Sequence, residues 1–168
     1  TANGLVVVGM FASNVARMGQ VFEIASKLGK KVLLAGRGME RNAGLAREIG
    51  YLNKASEVLI SIEQFSSYPR DKVIVISTGS QAEMGSVLSR IAAGEHKQIT
   101  VQPGDLVLMS SRYIPGNEKS IGRMINELFK QGARVMYEAM HEIHTSGHAT
   151  RPELKQMIEW VRPKYFIP

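Results

Sequence analysis

The sequence predicts an α/β domain of three layers, a largely parallel sheet with helices on both faces, and three observations carry that expectation. Short continuous apolar runs, of which Val73-Ile74-Val75-Ile76 is the clearest, alternate along the chain with stretches of helical periodicity. Continuous apolar runs belong to strands covered on both faces, the situation of a parallel sheet flanked by helices. Clusters of small polar residues follow several of these runs, where such a sheet turns its chain into the next helix.

In order, residues 5–10 (Leu-Val-Val-Val-Gly-Met) read as the first strand. Phe11-Ala12-Ser13-Asn14 follows, with Ser13 as the expected N-cap of a helix that places Val15, Met18, Phe22 and Ala25 near one face and ends at Gly29. Residues 31–35 form the second strand and 39–49 the second helix, closed by Gly50. Residues 51–72 read as a connection with a short helix near Ile62. After strand 73–76 and Ser77-Thr78-Gly79-Ser80-Gln81, a helix runs through about Ala93, and residues 97–100 are expected as a short edge strand. Pro103-Gly104-Asp105 turns the chain into strand 106–109. Asn117 caps a helix to Lys130, Gly132 ends it, strand 133–137 follows, and helix 151–161 and strand 164–167 complete the chain. Thr150-Arg151-Pro152-Glu153 has the form of a capping box with proline in the first turn.

Composition bounds what these elements can do. A chain of 168 residues, 44% hydrophobic with six prolines, folds as one domain with a sizeable core. No apolar run approaches the roughly 18 to 20 residues of a membrane span, and no signal-peptide pattern opens the sequence, so a cytoplasmic protein without membrane association is expected. With no cysteine there are neither disulfides nor thiolate metal sites. The formal charge of +6 favours an anionic partner, nucleic acid first. The sequence opens without Met on a core strand and ends on another, so it is expected to be one domain excised from a longer protein.

The candidate site is the stretch His144-Thr145-Ser146-Gly147-His148-Ala149. Two imidazoles, two hydroxyls and a glycine stand between an expected strand and an expected helix, whose first N–H groups attract an anion. Histidine changes charge near neutrality, and glycine lets a ligand approach the backbone, so the stretch suits a phosphate. Ser13 and Asn14, Ser77 through Gln81, and Ser110-Ser111-Arg112 also follow strands and are expected at the same edge. Helix capping and turn formation account for many of these small residues, though less well for the Ser110-Ser111-Arg112 cluster or the two histidines.

Other motifs are incomplete. Gly36-Arg37-Gly38 lacks a third glycine at Arg41, so it falls short of a dinucleotide fingerprint, and no P-loop occurs. Ser80 lacks the glycines of a nucleophile elbow. His141-Glu142-Ile143-His144 is one residue short of the zinc-protease spacing, so no metal site is assigned to this chain. Lys97, Lys119, Lys130 and Arg123 read as a solvated face.

Six motifs in register carry a resemblance that covers essentially the whole chain. Phe11-Ala12-Ser13-Asn14, Ser77-Thr78-Gly79-Ser80-Gln81, Gly94-Glu95-His96, Ser110-Ser111-Arg112, Ile114-Pro115-Gly116-Asn117-Glu118-Lys119 and His144-Thr145-Ser146-Gly147-His148-Ala149 together resemble the β-CASP domain of bacterial ribonuclease J. The ending Lys164-Tyr165-Phe166-Ile167-Pro168 resembles the strand by which that family leaves the β-CASP insertion. Departures fall at Ala82, where glycine is common, Tyr113, where a smaller residue or proline is usual, and Thr145, where valine is frequent.

The resemblance implies a Rossmann-like β-CASP domain over residues 1–168, inserted in a metallo-β-lactamase domain that lies outside this sequence. It implies a parent enzyme that cleaves RNA with zinc-activated water, as a 5′-monophosphate-dependent exonuclease and as an endonuclease, and that is often a homo-oligomer. The zinc ligands would belong to the other domain, leaving this chain alone without cofactor and inactive. His148 would stabilise charge on the phosphoryl group. His144, Ser146, Gly147, Ser77, Thr78, Gly79, Ser80, Gln81, Ser110, Ser111, Arg112, Ser13 and Asn14 would bind substrate phosphate. A nucleotide or sugar-phosphate binding module, motivated by the same strand-end loops, and a purely structural role in assembly stay open as alternatives.

Overall fold

The structure, a computed structural model, describes residues 3–137 and 148–167. Six strands build one sheet: β1 (Val6–Gly9), β2 (Lys31–Ala35), β3 (Leu59–Ile60), β4 (Val73–Ser77), β5 (Leu106–Met109) and β6 (Arg134–Met136). Their spatial order is β3-β2-β4-β1-β5-β6, and every pairing is parallel, with Val7 opposite Val75 on one side and Val107 on the other. The expected three-layer α/β architecture is therefore present, with a sheet that is parallel throughout.

Alternation of side chains along each strand divides the core into two. Val8, Met10, Val32, Ile74 and Ile76 bury against Met18, Phe22 and Ala25 of α1 (Val15–Lys27) and Met39, Ala43 and Ala46 of α2 (Arg37–Glu48). The one-turn α3 (Ala55–Val58) lies on the same face. Val7, Val73, Val75, Val107 and Met109 bury on the other face, against Leu88 and Ile91 of α4 (Val87–Ala92) and Ile121, Met124, Ile125 and Leu128 of α5 (Glu118–Lys130). The i, i+3, i+4 spacing of those helical residues makes each helix one-sided.

Four local expectations are corrected. Asn14, rather than Ser13, caps α1: its Oδ1 accepts from the Arg17 backbone N–H at 3.1 Å. Residues 51–72 hold α3, the two-residue β3 and two 3₁₀ turns, because Leu52, Ala55 and Val58 bury on one face and Ile60 and Phe65 on the other. Residues 97–100 form no strand. Instead Nδ1 of His96 accepts from the backbone of Ile99 at 3.1 Å and of Gln98 at 3.4 Å, making a turn that buries Ile99. Burial and then the charge of Arg90 lower the pKa of His96, which keeps that nitrogen an acceptor at neutral pH. Residues 164–167 are exposed and irregular rather than a strand.

The last helix, α6 (Arg151–Val161), begins with the expected capping box, the Glu153 carboxylate accepting from the Thr150 N–H at 2.6 Å and hydroxyl at 2.8 Å. Leu154, Met157, Ile158 and Val161 fall at i, i+3, i+4 and i+7, and all four are exposed.

Candidate functional site

Parallel strands put all their carboxyl ends at one edge. From adjacent strands the chain leaves in opposite directions, β1 into α1 on one face and β4 into α4 on the other. This divergence opens the crevice where sheets of this kind hold ligands. The loops after β1, β4 and β5 meet there: the Met10 N–H donates to Ser77 O at 3.1 Å, and the Ser110 N–H donates to Gly9 O at 2.8 Å.

A cavity of about 610 Å³ lies against these loops, lined by Phe11, Ser13 and Asn14 from the β1 loop, Arg112, Tyr113, Ile114 and Pro115 from the β5 loop, and His148. Ser13, Asn14, Arg112 and His148 are thus brought together as the sequence predicts. His148 is exposed. Arg17 stands behind the wall, its guanidinium donating to the carbonyl of Ser110 and so tying α1 to the β5 loop. Burial lowers its pKa, but a guanidinium keeps its charge.

The other expected phosphate contacts take framework positions. Gln81 is buried, and its amide donates to Ser111 Oγ at 3.1 Å and Arg112 O at 2.7 Å while accepting from the Ile114 N–H at 2.9 Å. One side chain thereby fastens the β5 loop to the β4 loop. Ser77, Ser80, Ser110 and Ser111 are buried, and the hydroxyls of Ser77 and Ser80 have no hydrogen-bond partner among the described residues. Thr78 packs beneath Gly36, where a Cβ would lie 2.9 Å from the threonine Oγ1. Among the described residues that line the cavity, none of these side chains is included. His144, Ser146 and Gly147, together with Thr145 and His141, lie outside the described residues.

Gly79 illustrates that framework role. Its φ is +102°, and a Cβ there would lie 2.2 Å from Ser86 Oγ and 2.7 Å from Ser86 Cβ. Gly79→Ala is expected to cost about 2 to 3 kcal/mol, the sum of left-handed backbone strain and a clash that must displace the start of α4. Urea unfolding measures it, and an unchanged midpoint would contradict this reading. Ala82, one of the departures noted in the sequence, also has positive φ, +55°, which explains physically why glycine is the easier residue there.

Helix starts contribute less positive field than the sequence implies. The α6 start is answered by Glu153, and the α5 start by Glu118, whose carboxylate accepts from the Gly116 N–H at 2.9 Å. Their own carboxylates oppose an incoming anion at both places. Arg112 is the cationic side chain that lines the cavity among the described residues. Among the described residues no three His, Asp or Glu side chains gather as a metal site.

An all-parallel α/β sheet covered by helices on both faces, with a cavity outside its strand ends, is of the Rossmann-like class. Comparison with known families then places it more narrowly. Residues 3–128 match the family model described as the β-CASP domain of ribonuclease J, and residues 132–168 match the model described as the RNA specificity domain of Zn-dependent metallo-hydrolases. The chain belongs to the ribonuclease J β-CASP family. It is 40% identical over 167 residues to ribonuclease J of Helicobacter pylori, 44% to that of Mycolicibacterium smegmatis and 40% to that of Thermus thermophilus. Each match takes in 99% of this chain but only 24%, 30% and 29% of the relative, so the chain spans less than a third of those proteins. The boundary between the two matched segments falls at the turn between α5 and β6, and β6 nonetheless completes the sheet by pairing with β5.

Proposed function

We propose that this chain is the RNA-binding module of a zinc-dependent ribonuclease of the ribonuclease J kind, holding substrate phosphate at the cavity beside Arg112 and His148. The observation that carries the proposal is the convergence of those two side chains with Ser13 and Asn14 outside the carboxyl ends of the strands. The net charge of +6 favours the same polyanion. Zinc would be held by the metallo-β-lactamase domain of the parent, which would supply the activated water. This chain supplies binding and orientation: Arg112 as the bidentate phosphate donor, Asn14 and Ser13 as neutral donors at the opposite wall, and His148 as a donor to the scissile phosphoryl. Action on 5′-monophosphorylated ends, in both exonuclease and endonuclease modes, and oligomerisation of the parent belong to the same proposal.

The exposed stripe of Leu154, Met157, Ile158 and Val161, with Tyr165, Phe166 and Ile167 beyond it, supports the two-domain arrangement. A helix and tail this apolar would be covered by the metallo-β-lactamase domain of the parent.

The test is salt-dependent binding of 5′-monophosphorylated single-stranded RNA, followed by fluorescence anisotropy. Affinity should fall as salt rises, and Arg112→Ala should flatten the log-log slope by about 0.7, the loss of one neutralised phosphate. Tight binding indifferent to both salt and Arg112 would sink the proposal. Binding of free nucleotides or sugar phosphates without any binding of RNA would instead support a small-molecule module.

A further inference from the structure

Residues 110–114, which carry Arg112 to the cavity, form neither helix nor strand, so no ladder of backbone hydrogen bonds fixes their path. Side chains from other elements hold them instead. At the β5 end, the guanidinium of Arg17 in α1 donates to the carbonyl of Ser110. Beyond it, the Gln81 amide donates to the Ser111 hydroxyl and to the Arg112 carbonyl, and accepts from the Ile114 N–H. The amide cannot be turned over, because the Arg112 carbonyl only accepts and the Ile114 N–H only donates. Arg17 belongs to a helix on one face of the sheet and Gln81 to the loop that leads to α4 on the other, so residues 110–114 are gripped from both sides. Gln81 is 3% exposed and is not among the residues that line the cavity.

We propose that Gln81 is the positioning residue for Arg112, holding its backbone so that the guanidinium meets an RNA phosphate, and that a neutral side chain thereby sets the electrostatic part of RNA binding. This rests on the phosphate reading above and adds to it the group through which Arg112 is placed. A guanidinium is a planar fork, and its two parallel bonds to a phosphate form only when the residue that bears it is correctly placed. Once the Arg112 carbonyl and the Ile114 N–H lose the amide, the loop gains freedom that binding must remove again, and affinity falls by that entropic cost.

The experiment follows the anisotropy of 5′-monophosphorylated single-stranded RNA on the full-length protein across a salt series, for the wild type, Gln81→Met, Arg112→Ala and the double variant. Methionine keeps the length and bulk of the side chain without the amide. Gln81→Met should weaken binding about fivefold to tenfold and flatten the log-log salt slope toward that of Arg112→Ala, by up to about 0.7, although no charge has been removed. A side chain that only supported the fold, or that met RNA as a neutral donor, would lower affinity at an unchanged slope. In the Arg112→Ala background Gln81→Met should cost nothing further, which the double-mutant cycle reads directly. Gln81→Asn, polar and neutral but one methylene shorter, should repeat both results, and thermal melts establish which variants are folded at the assay temperature. A wild-type slope in the Gln81 variants, or an equal loss in both backgrounds, overturns the positioning role and leaves the phosphate reading standing. Wild-type affinity and slope in Arg112→Ala overturn the two together.

Discussion

Asp105→Ala is expected to destabilise the fold by about 3 kcal/mol without touching the candidate site. The carboxylate is 2% exposed, and its Oδ1 accepts from the Leu5 N–H at 2.8 Å while its Oδ2 accepts from the Gln102 N–H at 2.9 Å and from Arg70. Leu5 leads into β1, Arg70 precedes β4, and Asp105 itself opens β5, so one side chain ties together the amino ends of the three central strands. Alanine would leave two backbone donors without acceptors, each costing roughly 1 to 3 kcal/mol where water does not replace the bond. The Arg70 contribution is discounted, since that side chain is about one third exposed (32%) and recovers solvent. A loss of this size is a large part of the roughly 5 to 15 kcal/mol by which domains are stable. Asp105→Asn should recover only part of the loss, because its carbonyl can still accept from the Leu5 N–H while its amide NH2, itself a donor, is set against the Gln102 N–H and the Arg70 guanidinium. Urea titration of the three proteins gives the order, and native-state RNA affinity should be the same in all, because the carboxylate lies at the opposite edge of the sheet from the cavity. A midpoint for Asp105→Ala within experimental error of wild type would refute this account.

How much of this was legible depended on how many residues carried each signal. The four longer strands were readable because a strand buried on both faces is apolar at nearly every position, as in Val73-Ile74-Val75-Ile76. β3 was not, since two residues establish no period, and its place is set by pairing Leu59 and Ile60 with Val32 and Leu33. Ile99 is apolar for burial in a turn that His96 closes, which a strand pattern imitates. At the site, the sequence located the loops and hence Ser13, Asn14, Arg112 and His148. It could not distinguish a hydroxyl facing a ligand from one packed under a helix, because Ser77, Ser80 and Ser111 have the same local chemistry as Ser13. Their burial comes from tertiary packing, Ser77 at the end of β4 and Ser111 under the reach of Gln81 across to the β5 loop. Phe11 and Arg17 were passed over as site residues because a phenylalanine after a strand reads as core and an arginine in a helix as surface. Asp105 reads in the sequence only as a turn former, since two of its three partners, Arg70 and Leu5, are brought to it by tertiary structure from 35 and 100 residues away.

Replacing His148 should slow RNA cleavage by the full-length parent enzyme by something like 10²-fold, the usual consequence of losing one preorganised donor aimed at developing charge. The expectation rests on the proposed role and on two features of the structure: His148 lines the same cavity as Arg112, and it is exposed rather than packed in either core cluster. Exposure decides the stability half of the prediction. With no buried apolar surface to forfeit, His148→Ala should melt within a few degrees of wild type, because the large losses of stability come from packed positions. Position decides the kinetic half. Arg112 would hold the ground-state phosphate already, so removing His148 should lower kcat and kcat/KM together, whereas Arg112→Ala should act mainly on KM. Single-turnover cleavage of 5′-monophosphorylated RNA separates the chemical step from product release, and anisotropy gives the affinity. An unchanged single-turnover rate in His148→Ala would remove the residue from the chemistry, and a melting temperature lowered by many degrees would make it a structural residue instead.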